Sequence, residues 1–121
     1  MPSDRAPQPF LPLTQDVTLI LLALSAGPRH GYGVMRDVEE RSDGQLVLQA
    51  GALYRALKRL LADGLVAECP APAGESTDDA RRRYYQLTAL GGRVLDAEIE
   101  RMARLVRAAR LTAAGKRPRL A

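Results

Sequence analysis

The chain predicts a mainly α-helical domain that carries one small β-hairpin and ends in a long helix with an apolar stripe of its own. Three observations lead there. Several stretches repeat apolar residues at spacings of three and four, the period of a helix laid on a core. Two short β-compatible runs follow the third of these stretches and flank a turn-rich loop. The final stretch keeps its period for more than twenty residues. With 121 residues, 46% of them apolar, the chain is long enough for one modest core and too short for two.

Residues 1–13 hold Pro2, Pro7, Pro9 and Pro12. Proline has no amide proton for a ladder and no freedom in φ, so this stretch reads as a flexible arm. Thr14 is placed to cap the first helix, with Asp16 in its first turn where a negative charge suits the helix dipole. Val17, Ile20, Leu21 and Leu24 form its apolar face, and Gly27-Pro28 ends it.

A second helix is expected from Gly31 to Ser42, with Val34, Met35 and Val38 inward and Arg36, Asp37, Glu39, Glu40 and Arg41 outward. Its entrance, His30-Gly31-Tyr32-Gly33, spends two glycines where they weaken a helix start. Close packing would explain them, and so would a phosphate at the free amides of the first turn. Asp43-Gly44 closes this helix, and Leu46-Val47-Leu48 leads onward as an extended connector or very short strand.

The stretch from Gln49 to Gly64 is the centre of the chain. Leu53, Leu57, Leu60 and Leu61 share one face, while Gly51, Arg55, Lys58 and Arg59 point the other way. A small residue near the start of a helix and cations further along suit insertion into a nucleic-acid groove, where the backbone approaches closely and each cation displaces counterions from phosphate. The same face would also serve as an ordinary solvated surface. Two helices joined by a brief connector, the second one basic, have the layout of a helix-turn-helix. Gly64 stands where a C′ residue belongs.

Leu65 to Cys69 then reads as a strand, Pro70 to Ala80 as a loop and Arg82 to Leu87 as the return strand. A hairpin directly behind a recognition-type helix is the wing of a winged helix-turn-helix, predicted over residues 14–88. Arg81, Arg82 and Arg83 open the return strand, placed to meet a sugar-phosphate backbone, whereas Glu75, Asp78 and Asp79 would keep the tip away from it. The last helix is expected from Ala89 to Arg110, capped by Thr88. Leu95, Ile99, Met102, Val106 and Ala109 recur at four, three, four and three, a heptad seam that Val94 and Leu105 widen. A second copy of the chain would cover that seam; the alternative is that it folds back on the first helix of its own subunit. Residues 111–121, with Lys116, Arg117 and Arg119, read as a disordered basic tail.

Composition narrows the function. Eighteen Lys and Arg against fourteen Asp and Glu give a net charge of +4, which favours polyanionic partners. Cys69 is the only cysteine and His30 the only histidine, so an intrachain disulfide, a Cys and His set with zinc spacing, and catalysis or metal binding through a histidine cluster are excluded. Cys69 reads as a small filler on a strand or as an oxidation switch. Aspartates and glutamates fall on exposed faces, and no nucleophile sits beside a base in a recognisable motif, which argues against an enzyme. The longest apolar run, Val17 to Leu24, is too short to span a bilayer, and the chain's start lacks the features of a signal peptide. A cytoplasmic protein without cofactor or metal is expected.

Several ordered motifs resemble the PadR family of transcriptional regulators: His30-Gly31-Tyr32, Gly51-Ala52-Leu53-Tyr54-Arg55-Ala56-Leu57, Gly64-Leu65-Val66, Arg83-Tyr84-Tyr85-Gln86-Leu87-Thr88 and Gly91. The similarity runs from about Leu13 to Arg110, and the single C-terminal helix is similar to the short subfamily. The resemblance implies a homodimeric repressor on an inverted-repeat operator in double-stranded DNA, released by a small molecule or another signal. The basic helix face, the wing and the resemblance together place His30, Tyr32, Gln49, Gly51, Ala52, Tyr54, Arg55, Lys58, Arg59, Arg81, Arg82 and Arg83 toward the DNA, and the resemblance implies that Tyr54 anchors a phosphate through its hydroxyl. The heptad seam supplies the expected dimer interface, Leu95, Ile99, Met102, Leu105, Val106 and Ala109. Tyr85 and Leu87 are expected to pack inward. Ala52 stands where threonine is common in the family, so one hydroxyl contact is missing. The chain has no tryptophan, so the aromatic clamp with which some members hold flat drugs is absent in that form. The competing class is a winged-helix interaction module whose basic face meets an acidic protein.

Overall fold

The computed structural model describes residues 5–74 and 83–115. Helix α1 spans Gln15–Ser25 and starts where Thr14 Oγ1 accepts the Val17 amide at 3.2 Å. Strand β1, Arg29–His30, leads without a break into α2, Gly31–Arg41. Asp43 and Gly44 follow with φ of +52° and +77°, and Ser42 Oγ accepts the Leu46 amide at 3.0 Å to close the turn. Leu46 to Leu48 form a connector without regular structure. Helix α3 covers Ala50–Ala62, and Gly64 at φ +77° turns the chain into β2, Val66–Cys69. The return strand β3 is Tyr84–Leu87, and α4 runs Ala89–Ala114, four residues beyond the expected end.

The sheet is antiparallel in the order β1-β3-β2, with Arg29 opposite Tyr85, and Val66 opposite Leu87. The sequence predicts only the hairpin. Strand β1 is two residues long and is defined entirely by its partner, so no alternation could announce it.

The core sits where α1, α2, α3, the sheet and the first third of α4 meet. Ile20, Leu21, Leu24, Val34, Val38, Leu53, Leu57, Leu60, Leu65, Val66, Tyr85, Leu90, Val94 and Leu95 are all buried there. The expected inward faces of α1 to α3 therefore hold, with Val17, Met35 and Leu61 only partly buried at the margin. Tyr85 is buried and Leu87 packs against the core, as expected.

Four features differ from the sequence reading. First, the arm is docked from Arg5 onward. A 3-10 turn covers Gln8–Phe10, and Phe10, Leu11 and Leu13 pack against the core. Arg5 Nη1 donates to the Asp63 carbonyl at 2.9 Å, while Arg93 Nη2 donates to the Arg5 carbonyl at 3.1 Å. Prolines forbid a ladder but leave side chains free to pack, which is how this segment is held.

Second, Glu98 is only 1% exposed. It accepts the Leu13 amide at 2.9 Å through Oε2 and is paired with Arg101. A buried carboxylate that is paired and hydrogen-bonded is tolerated, whereas an unpaired one is not. The Arg101 hydrogen bond holds its carboxyl below the ordinary value; burial pushes the other way, and the Leu13 amide adds to the lowering. The unfolded chain consequently binds a proton before the folded one does. This contribution to stability is complete above about pH 4.3, the ordinary Glu value, and is lost as pH falls through the lowered folded value. Urea unfolding from pH 7 to pH 3 is expected to show this loss in the wild type and a smaller one in Glu98→Gln; equal pH profiles would contradict it.

Third, Asp37 was expected on the outer face of α2, but its side chain is 12% exposed between Arg29 at 3.4 Å and Arg41 at 2.5 Å. Fourth, Leu95, expected in the interface between two copies, belongs to the core of its own subunit at 3% exposed.

Candidate nucleic-acid interface

Helix α3 presents the outward face that its sequence promises. Gln49, Gly51, Tyr54, Arg55, Lys58 and Arg59 are exposed, and Ala52 is partly buried at the edge of the core-facing stripe. Among the described residues, Arg55, Lys58 and Arg59 have no carboxylate within ion-pair distance. An unpaired cation needs no partner stripped from it before it meets phosphate.

The start of α2 and the return strand of the wing meet α3 at one cleft. His30, Gly31, Tyr32, Tyr54, Arg83 and Tyr85 line a cavity of about 240 Å³. His30 caps α2, its Nδ1 accepting the Gly33 amide at 3.0 Å. Its ring stacks on Tyr32 at 6.3 Å between centroids and meets Tyr84 edge-on at 5.4 Å. Tyr54 is half exposed and lies across Gly31, where an added Cβ would stand 2.4 Å from the Tyr54 hydroxyl oxygen. A side chain at this helix start would push the Tyr54 ring out of the cleft. Arg83 pairs with Glu68 at 3.5 Å, both side chains well exposed. Such a surface pair is weak enough to exchange the carboxylate for a phosphate.

Arg29 is a positioning residue that sequence reasoning missed. Its Nε donates to the Ala23 carbonyl at 2.9 Å and its Nη2 reaches Asp37, tying β1 to α1 and α2 just before His30. Nothing local in the sequence signals these partners. Arg81 and Arg82, and the acidic tip residues Glu75, Asp78 and Asp79, lie outside the described residues.

Along α4 the burial changes character. Leu90, Val94, Leu95 and Glu98 are buried, so this first part does fold back within the subunit, with α1 among its neighbours. Beyond Glu98, Ile99 is 42%, Leu105 57% and Val106 48% exposed, Ala109 is exposed and Met102 partly buried. Cys69 is partly buried at the end of β2, and burial pushes its thiol up, away from the thiolate an oxidation switch needs. Among the described residues no cluster of His, Cys, Asp or Glu could hold a metal ion, and no helix is long and apolar enough to cross a membrane.

A helical core, a basic third helix and a three-stranded sheet whose hairpin follows that helix define the winged helix-turn-helix class. The long helix behind the wing narrows it further. Residues 20–97 match the transcriptional regulator PadR-like family, and the chain belongs to that family, one of regulators and not of enzymes. It is 40% identical over 87 residues, 72% of its length, to a 37.1 kDa protein of a transposon in Streptomyces fradiae, of which it spans only 23%. A PadR family regulator of Clostridium difficile superposes with a TM-score of 0.65 at 24% identity, covering 84% of this chain and all of that one. A transcriptional regulator of Clostridium thermocellum gives 0.64 at 21% identity, covering 91% and 96%.

Proposed function

We propose that this chain is a homodimeric, sequence-specific DNA-binding transcriptional regulator of the cytoplasm, acting as a repressor that a small molecule or another signal releases. The observation that carries the reading is the convergence of Tyr54 of α3, Tyr32 of α2 and Arg83 of the wing on one cleft, with Arg55 exposed one residue further along α3. Hydroxyls and guanidinium groups are donors for phosphate oxygens, and the face of α3 beside them is free to enter a major groove. The apolar row of α4 beyond Glu98 supports the pairing of two subunits. Two-fold symmetry then sets two α3 helices in successive major grooves of an inverted repeat, roughly 34 Å apart.

Titration of the protein into the DNA upstream of its own coding region tests this. Three cations on each α3, without an ion-pair partner among the described residues, give six per dimer, so log affinity against log salt is expected to fall with a slope of about −5. Tyr54→Ala together with Arg55→Ala is expected to weaken operator binding on the order of a hundredfold, since each substitution removes phosphate contacts from both subunits. The slope should become shallower by about 2. Binding indifferent to sequence and salt, or unchanged in the double variant, would instead favour an interaction module for an acidic protein.

A further inference from the structure

The connector between α2 and α3 carries a feature that the phosphate contacts do not use. Leu46 packs against the core and Leu48 is 8% exposed, but Val47 between them is 57% exposed. Two residues on, Gln49 occupies the N-cap position of α3 with extended backbone, φ −74° and ψ 149°, yet its side chain makes no capping hydrogen bond. Its amide is exposed and has no partner among the described residues. Burial alternates along the connector, Leu46 and Leu48 inward and Val47 and Gln49 outward. Val47 and Gln49 thus project together, away from the two leucines, at the end of α3 that leads into a groove. A lone exposed valine is ordinary on a protein surface. This one stands beside an unengaged amide, in the segment that a helix-turn-helix carries to the base edges.

We propose that Val47 and Gln49 are sequence-reading residues, Val47 packing on the methyl group of a thymine and Gln49 bonding both N6 and N7 of an adenine. The chemistry of each side chain fixes the choice. The thymine methyl is the apolar group that the major groove displays, and a carboxamide matches the donor and acceptor pair of adenine. The chain limits the spacing: two residues span at most about 7 Å, the length of about two base-pair steps. Each half-site accordingly holds a T·A and an A·T pair no more than two base pairs apart. This inference rests on the DNA-binding reading and assigns the bases within it.

The test starts by enriching binding sequences from a random duplex pool with the full chain. In the enriched half-site each thymine is replaced in turn by deoxyuridine, which removes only the methyl, and each adenine by 7-deazaadenine, which removes only N7. One thymine exchange is expected to weaken wild type about fourfold, and one adenine exchange roughly tenfold. Val47→Ala should be blind to the first and Gln49→Ala to the second, because each loss is shared with the missing side chain. Both side chains are exposed, so circular dichroism of the variants should match wild type. Wild type insensitive to every deoxyuridine and 7-deazaadenine exchange, or variants as sensitive as wild type, would overturn the assignment and leave DNA binding standing. A pool from which no sequence is enriched would remove the DNA-binding reading, and this assignment with it.

Discussion

Replacing Ile99 and Val106 by aspartate is expected to give a folded monomer whose affinity for the operator falls at least a hundredfold. Both residues lie on α4 beyond the point where it leaves the core, exposed by 42% and 48% within one subunit, so carboxylates there meet water in the monomer. In a dimer that closes over the same stripe, each pair of subunits would bury four unpaired charges, and uncompensated buried charge costs several kcal/mol. The loss for DNA follows from linkage. Two tethered α3 helices bind with a shared effective concentration worth on the order of 10²–10⁴ in affinity, and a monomer forfeits it. Sedimentation or light scattering at micromolar concentration reads the first effect, and operator titration the second. A wild-type chain that is already monomeric, or a double aspartate variant that remains a dimer on DNA, would refute the pairing through α4.

Gly91→Ala is expected to cost about 3 kcal/mol of folding stability, a fall in Tm of roughly 15 °C. A Cβ at Gly91 would stand 2.0 Å from the Leu65 carbonyl oxygen and 2.9 Å from its carbon, both backbone atoms without a rotamer to give way. The junction is closed on every side. The Thr88 amide donates to that same carbonyl at 3.1 Å, Thr88 Oγ1 donates to the Gly64 carbonyl at 2.6 Å, and the Gly91 amide donates to Thr88 Oγ1 at 3.0 Å. Separating α4 from the turn before β2 would break the two Thr88 bonds to Leu65 and Gly64 together and open the core around Leu65 and Leu90. Gly92 supplies the comparison, since a Cβ there meets nothing within 4 Å. Gly92→Ala should stabilise by about 0.5–1 kcal/mol through helix propensity. Thermal unfolding of the two variants should move in opposite directions; equal shifts would contradict the account of Gly91.

The pair of adjacent glycines marks how far the sequence could be read. Gly91-Gly92 is visibly a helix start that tolerates glycine, behind a cap at Thr88 that the structure forms. Which of the two is obligatory depends on the carbonyl of Leu65, 26 residues earlier. His30-Gly31-Tyr32 poses the same problem: close packing and a bound phosphate both account for its glycines on sequence grounds, and only the structure brings the ring of Tyr54 against Gly31.

What is local and periodic can be read from the residues directly. Helices α1 to α4, the caps at Thr14 and Thr88, the turn at Gly64, the wing behind the basic helix and the outward face of Arg55, Lys58 and Arg59 are written in spacings of a few residues, because helix and strand geometry fixes which side chains share a face. Which surface covers each face follows only from how the elements pack. That packing placed Leu95 in its own subunit's core although it shares a period with Ile99 and Val106, paired a two-residue strand at Arg29 with Tyr85, buried Glu98 against Arg101 and the amide of Leu13, and laid a proline-rich segment on the body. Periodicity records that a stripe is apolar or charged; what lies against it is set by residues far along the chain, and the same heptad can be closed from within at one end and left open at the other.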